Sequence, residues 1–128
     1  MTAGTYMRAD PPALEPGSSL SEAVTRLDES SAVAAPVIEG GRLIGILCLD
    51  SVRAVGGNGA AHARVRDWMV HHPETIDSEL PLDRAATLLL HSGLDHLPVT
   101  ERERVVGMLS RSTLEGAEAL TDCAPRGV

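Results

Sequence analysis

Five histidines and two cysteines are the residues of this chain that could ligate a metal, titrate near neutrality or attack an electrophile. Their spacing argues against each use. His71 and His72 are adjacent, so their side chains diverge in an extended segment. With His62, His91 and His96 they find no carboxylate or thiol at ligand spacing, so neither a metal site nor a pH sensor is expected of the five. Cys48 and Cys123 stand 75 residues apart with no C-x-x-C. Cys48, inside an apolar run, reads as a small buried hydrophobe, and Cys123 belongs to a polar tail. Neither a zinc site nor a disulfide framework is expected, and the compartment reads as reducing. All eleven cations are arginine. The absence of lysine excludes the G-K-[ST] phosphate loop, Schiff-base chemistry and Ser-Lys nucleophiles. No nucleophile, base and orienting group stand together, so the chain is not expected to be an enzyme and needs no catalytic metal.

The frame that must position any remaining site is small. The 128 residues are 43% hydrophobic and 23% charged, the balance of one compact globular fold. The formal charge of -7, with Tyr6 and Trp68 as the only large aromatics, leaves neither a phosphate-neutralising face nor a base-stacking platform. Nucleic acid and anionic membrane are not expected partners. The first twenty residues lack a basic start followed by an apolar core, and no apolar run approaches a membrane span. A cytoplasmic protein is expected.

One offset of 62 residues relates Met7 to Met69, Pro11 to Pro73, Leu20 to Leu82, Ala23 to Ala85, Pro36 to Pro98 and Gly45 to Gly107. From Tyr6/Trp68 to Val52/Leu114 no gap is needed, and Thr25/Thr87, Leu27/Leu89, Ser30/Ser92, Val37/Val99, Glu39/Glu101, Arg42/Arg104 and Leu47/Leu109 also match. Gly56, Gly57, Asn58 and Gly59 read as a turn-rich connection. The chain therefore divides into a first copy over residues 1–57, a linker over 58–64, a second copy over 65–120 and a C-terminal tail over 121–128.

Each copy reads as a short strand, at Ala13-Leu14 or Thr75-Ile76, then helix, strand, strand and helix. In the second copy Leu82, Ala85, Ala86, Leu89 and Leu90 form the apolar stripe of a helix that Pro81 enters at its first turn and Gly93 ends. The runs His96 to Thr100 and Val105 to Leu109 form a hairpin around the charged turn Glu101-Arg102-Glu103-Arg104. A helix follows from about Ser112, with a capping box in Ser112-Thr113-Leu114-Glu115. In the first copy Ser19-Leu20-Ser21-Glu22 is the matching box, and Gly40-Gly41 turns the hairpin between Pro36 to Glu39 and Arg42 to Cys48. Asp67 reads as the N-cap of a one-turn segment, and Trp68 as a cover for the core edge or a dimer contact. One copy buries too little surface to stand alone, so the two sheets are expected to pack face to face.

The ordered set Val65-Arg66-Asp67-Trp68-Met69, Pro73-Glu74-Thr75-Ile76, Pro81-Leu82 with Ala85, His96-Leu97-Pro98-Val99 and Val105 through Arg111 closely resembles a CBS domain, the regulatory motif named after cystathionine beta-synthase. The first copy keeps Leu20 with Ala23, Ala35-Pro36-Val37 and Leu43-Ile44-Gly45-Ile46-Leu47. From about Thr5 to Leu120 the chain resembles one tandem CBS pair, or Bateman module. The resemblance implies an α+β fold of two CBS motifs, β-α-β-β-α each, packed as a pseudo-two-fold pair. It implies a regulatory module rather than a catalyst, with an adenosyl effector (AMP, ADP, ATP or S-adenosylmethionine) held in a cleft between motifs and no required cofactor. It also implies a homodimer that buries apolar helix faces, such as one carrying Leu114 and Leu120, and an unidentified regulated protein as partner.

In similar domains a Gly, two apolar residues, a Thr or Ser, and an Asp three residues later cradle the ligand, the hydroxyl near phosphate and the Asp on the ribose. Here the stretch is Gly107-Met108-Leu109-Ser110-Arg111-Ser112-Thr113 in the second copy and Gly45-Ile46-Leu47-Cys48-Leu49-Asp50-Ser51 in the first. Ser110 and Arg111 suit a phosphate, although a serine there is also a plain helix cap and an arginine there is often solvated. Thr113 replaces the ribose Asp, forfeiting roughly 1.5–3 kcal/mol of hydrogen bonding, or about ten- to a hundredfold in affinity. Thr75, Ile76, His96, Leu97 and Pro98 match positions that line the adenine pocket, and each also suits a core strand. Ala13, Leu14, Ala35, Cys48, Asp50 and Ser51 form a weaker counterpart, with Asp50 one residue early and suited to capping a helix. The alternative is a degenerate module that acts only in protein association.

Overall fold

The structure, a computed structural model, describes residues 2–53 and 62–115. In chain order these form α1 (Ala3–Tyr6), β1 (Arg8–Ala9), α2 (Leu20–Glu29), β2 (Ala34–Glu39), β3 (Arg42–Cys48), α3 (Leu49–Arg53), α4 (Val65–Trp68), β4 (Val70–His71), β5 (Ile76–Asp77), α5 (Leu82–Ser92), β6 (His96–Glu101), β7 (Arg104–Ser110) and α6 (Arg111–Glu115). The glycine-rich connection, Leu120, Cys123 and the 121–128 tail lie outside the described residues. No described helix is long and apolar enough to cross a membrane.

The sequence copies and the spatial units do not coincide. One unit joins residues 2–9 to 74–115, and the other holds residues 10–53 and 62–73. In the first of these, the sheet runs β1-β7-β6-β5, and Arg8 and Ala9 pair antiparallel with Met108 and Gly107. In the other it runs β2-β3-β4, and Val70 and His71 pair with Ile46 and Gly45. Glycine at 45 and 107 permits this. A Cβ on Gly107 would lie 2.8 Å from the Arg8 carbonyl oxygen and overlap Met7, and one on Gly45 would lie 2.7 Å from that of Val70.

Most local expectations hold, with shifts that packing explains. Ser19 caps α2 by accepting the Glu22 N–H at 3.1 Å. Gly93 ends α5 in the left-handed region at φ 74°. Pro81 sits one position before that helix, at φ -55° and ψ 142°, rather than within its first turn. Leu82, Ala85, Ala86 and Leu89 are buried, but Leu90 is 47% exposed because it falls at the edge of the stripe, about 80° round the helix from Leu82. The first hairpin turns at Gly40-Gly41 as expected. In the second, both strands reach further than read, and the turn contracts to Arg102-Glu103, at φ 53° and 68°.

Four expectations are corrected. The cap of α6 is Ser110, not Ser112, since β7 runs straight into the helix and the Thr113 N–H donates to Ser110 Oγ at 3.1 Å. Asp67 lies inside α4, whose N-cap is Arg64. Cys48 is half-buried rather than buried, because it is the last residue of β3. Leu114 cannot join an exposed apolar face, being only 1% exposed in the core with Leu97 and Leu109. Trp68 is 41% exposed.

Candidate functional site

The site begins with two prolines. In the first-copy unit a short parallel ladder consists of the Leu14 N–H donating to Pro36 O and the Ile38 N–H donating to Leu14 O, each at 2.9 Å. One step earlier the donor would have to be Pro36, which has no N–H. The ladder therefore starts at Leu14 and leaves Ala13 outside it, exposed. Pro98 repeats the arrangement, with β5 starting at Ile76, paired with Val99, and Thr75 left exposed before it. A proline in β2 and another in β6 thus leave each sheet open at this end.

The second-copy unit brings its polar residues to that opening. His96 and Ser110 are register partners, so both stand on one face at the start of β6 and the end of β7. Ser110 Oγ lies 2.7 Å from Thr113 Oγ1 and 3.2 Å from Ser112 Oγ. The next residue, Arg111, donates its N–H to the Asp95 carbonyl at 2.8 Å, and its guanidinium lies 3.7 Å from the Asp95 carboxylate. Ile76, Leu97 and Pro98 are buried, the first two inside the unit's own core, so a ligand would meet the strand edge beside them rather than their side chains.

The first-copy unit assembles the matching positions with less chemistry. Leu14 and Ala35 are buried in its core, Cys48 is half-buried, and Asp50 and Ser51 are exposed in the first turn of α3. Asp50 is inside the helix rather than at its cap, where its charge still favours the positive end of the dipole. The sequence reading missed Asp95 and gave Ser112 only a capping role. Asp95 was findable, since it immediately precedes the strand whose first residue pairs with Ser110. Among the described residues no group of three or more His, Cys, Asp or Glu could hold a metal.

A family profile described as CBS domain matches residues 3–56 and again 65–118. No curated protein matches the chain. Among solved structures, the chain is similar to the CBS-pair protein CBSX2 from Arabidopsis thaliana, at 24% identity and a TM-score of 0.75 over 95% of this chain and 96% of that one. CBSX2 has also been solved in complex with AMP. The CBS domain pair of protein MJ0100, in complex with 5′-methylthioadenosine and S-adenosyl-L-methionine, matches at 17% identity and a TM-score of 0.80 over 97% and 98% of the two chains. A hexameric CBS-CP12 protein from bloom-forming cyanobacteria matches at 18% identity and a TM-score of 0.82 over 95% of this chain and 74% of that one. With two profile matches that span both units, the chain belongs to the CBS domain family and carries a tandem pair of these domains.

Proposed function

We propose that this CBS pair is a cytoplasmic, non-catalytic regulatory module that binds an adenosyl ligand weakly at the β7–α6 junction of its second copy and acts through a protein partner. The observation that carries this reading is the gathering of Thr75, His96, Ser110, Arg111 and Thr113 at one open end of a single sheet. The Arg111 side chain is 40% exposed, so its charge can reach a ligand phosphate. The AMP complex of CBSX2 and the adenosyl complexes of MJ0100 support the ligand class. The same site in the first copy lacks the cation, having Leu49 in place of Arg111.

Thermal unfolding with AMP, ADP, ATP and S-adenosylmethionine tests the reading. A ligand at 1 mM with a dissociation constant near 100 µM stabilises by about 1.4 kcal/mol. Arg111→Ala should erase that gain for a phosphorylated ligand, and Ser51→Ala should leave it intact. The reverse ranking moves the site to the first copy.

One observation favours a second reading, association without a nucleotide. The hydroxyl in the place of the ribose acceptor, Thr113 Oγ1, is already bonded to Ser110. Relatives also assemble, as the hexameric CBS-CP12 protein does. On this reading the chain forms a homodimer through an isologous two-fold contact. Light scattering that shows a monomer at micromolar concentration overturns it.

A further inference from the structure

We propose that Asp95 sets the charge selectivity of the second copy's site, by competing with an anionic ligand for the Arg111 guanidinium. The proposal rests on the reading of the β7–α6 junction as a ligand site. Arg111 is the cation at that junction, and its guanidinium already faces a carboxylate, with Arg111 Nη1 3.7 Å from Asp95 Oδ1.

The repeat shows that the fold does not require this pair. In both copies the first residue of the closing helix donates its N–H to the carbonyl of the residue before the hairpin, Arg111 to Asp95 and Leu49 to Val33, each at 2.8 Å. The backbone tie is the same, yet in the first copy both side chains are apolar. The second copy carries two opposite charges on a frame that the first copy closes without them. At 40% and 70% side-chain exposure the pair adds little stability, and its effect falls on whatever approaches Arg111. A ligand phosphate must displace the carboxylate and remain beside it, whereas an uncharged adenosyl ligand meets neither cost. Asp95 thereby weakens the preference for phosphorylated over neutral ligands that Arg111 alone would confer.

Calorimetry with AMP and adenosine on the full chain, on Asp95→Asn and on Asp95→Asn combined with Arg111→Ala tests this. Asp95→Asn should raise AMP affinity about two- to fivefold, the range of an exposed ion pair, and leave adenosine unchanged. The gain should shrink in 1 M salt, where the screening length falls to about 3 Å. In the Arg111→Ala background most of it should vanish. Equal gains for both ligands, or no gain for AMP where AMP binds, overturn the proposal and leave the ligand site standing. Failure of both ligands to bind any variant overturns the ligand site, and the proposal with it.

Discussion

Thr113 occupies the third position of α6, with its N–H on the Ser110 cap and its hydroxyl 2.7 Å from the Ser110 hydroxyl. A carboxylate there would lose one neutral hydrogen bond, worth about 0.5–1.5 kcal/mol. It would gain about 0.3–1 kcal/mol from the positive end of the helix. These nearly cancel, so Thr113→Asp should leave the melting temperature almost unchanged. Its effect on binding should be larger, because a charged acceptor facing two ribose hydroxyls makes charge-assisted bonds. AMP affinity should rise by about tenfold or more and that of its deoxyribose counterpart much less, measured by calorimetry. If neither ligand gains, the association reading becomes the better account.

At the scale of the element, each copy serves as a control for the other. Gly40-Gly41 and Arg102-Glu103 are equivalent turns, and all four residues have positive φ. Left-handed backbone costs a residue with a side chain roughly 1–2 kcal/mol, and glycine returns about 0.5–1 of this as unfolded-state entropy. Glu103→Gly should therefore stabilise the protein by about 0.5–1 kcal/mol in denaturant titration, and unchanged stability would mean that the turn relaxes elsewhere. Ser31, one residue past the Ser30 cap of α2, stands at φ 54° where its repeat counterpart Gly93 caps α5 at φ 74°. Ser31→Gly should add about 0.5 kcal/mol, and a loss would show that the serine's own contacts outweigh the backbone term. Both substitutions lie away from the β7–α6 junction, so ligand affinity should not change.

For the molecule as a whole, the informative contact is the one between segments far apart in the chain. The Arg8 carbonyl would lie 2.8 Å from any Cβ at residue 107, so Gly107→Ala must push β1 away from β7. Forcing a methyl into such a contact costs about 1–3 kcal/mol. Hydrogen exchange should show lost protection at residues 7–9 and along β7, with residues 69–71 unaffected. Gly45→Ala should produce the complementary pattern. Loss at both segments in either variant would mean that the two glycines report on global stability instead of their own units.

The sequence by itself determined the features set by neighbours within a turn or two of chain. The 62-residue repeat is an identity pattern, Ser19 caps α2 by accepting the N–H of Glu22 three residues on, and Gly93 and Gly40-Gly41 act through their own φ angles. The candidate site was legible in part for the same reason, since Ser110 to Thr113 are consecutive and their hydroxyls meet across one helical turn. Tertiary structure decided the rest. Whether Ser110 or Ser112 caps α6 depends on where β7 stops pairing with β6, and the two serines are equivalent to any local rule. Leu114 looks like one side of an exposed stripe until Leu97 and Leu109, from separate strands, cover it. The exchange of segments 2–9 and 65–73 between copies depends on pairings such as Arg8 with Met108. Such pairings follow from the summed burial of many side chains, and no residue type in either segment announces its partner.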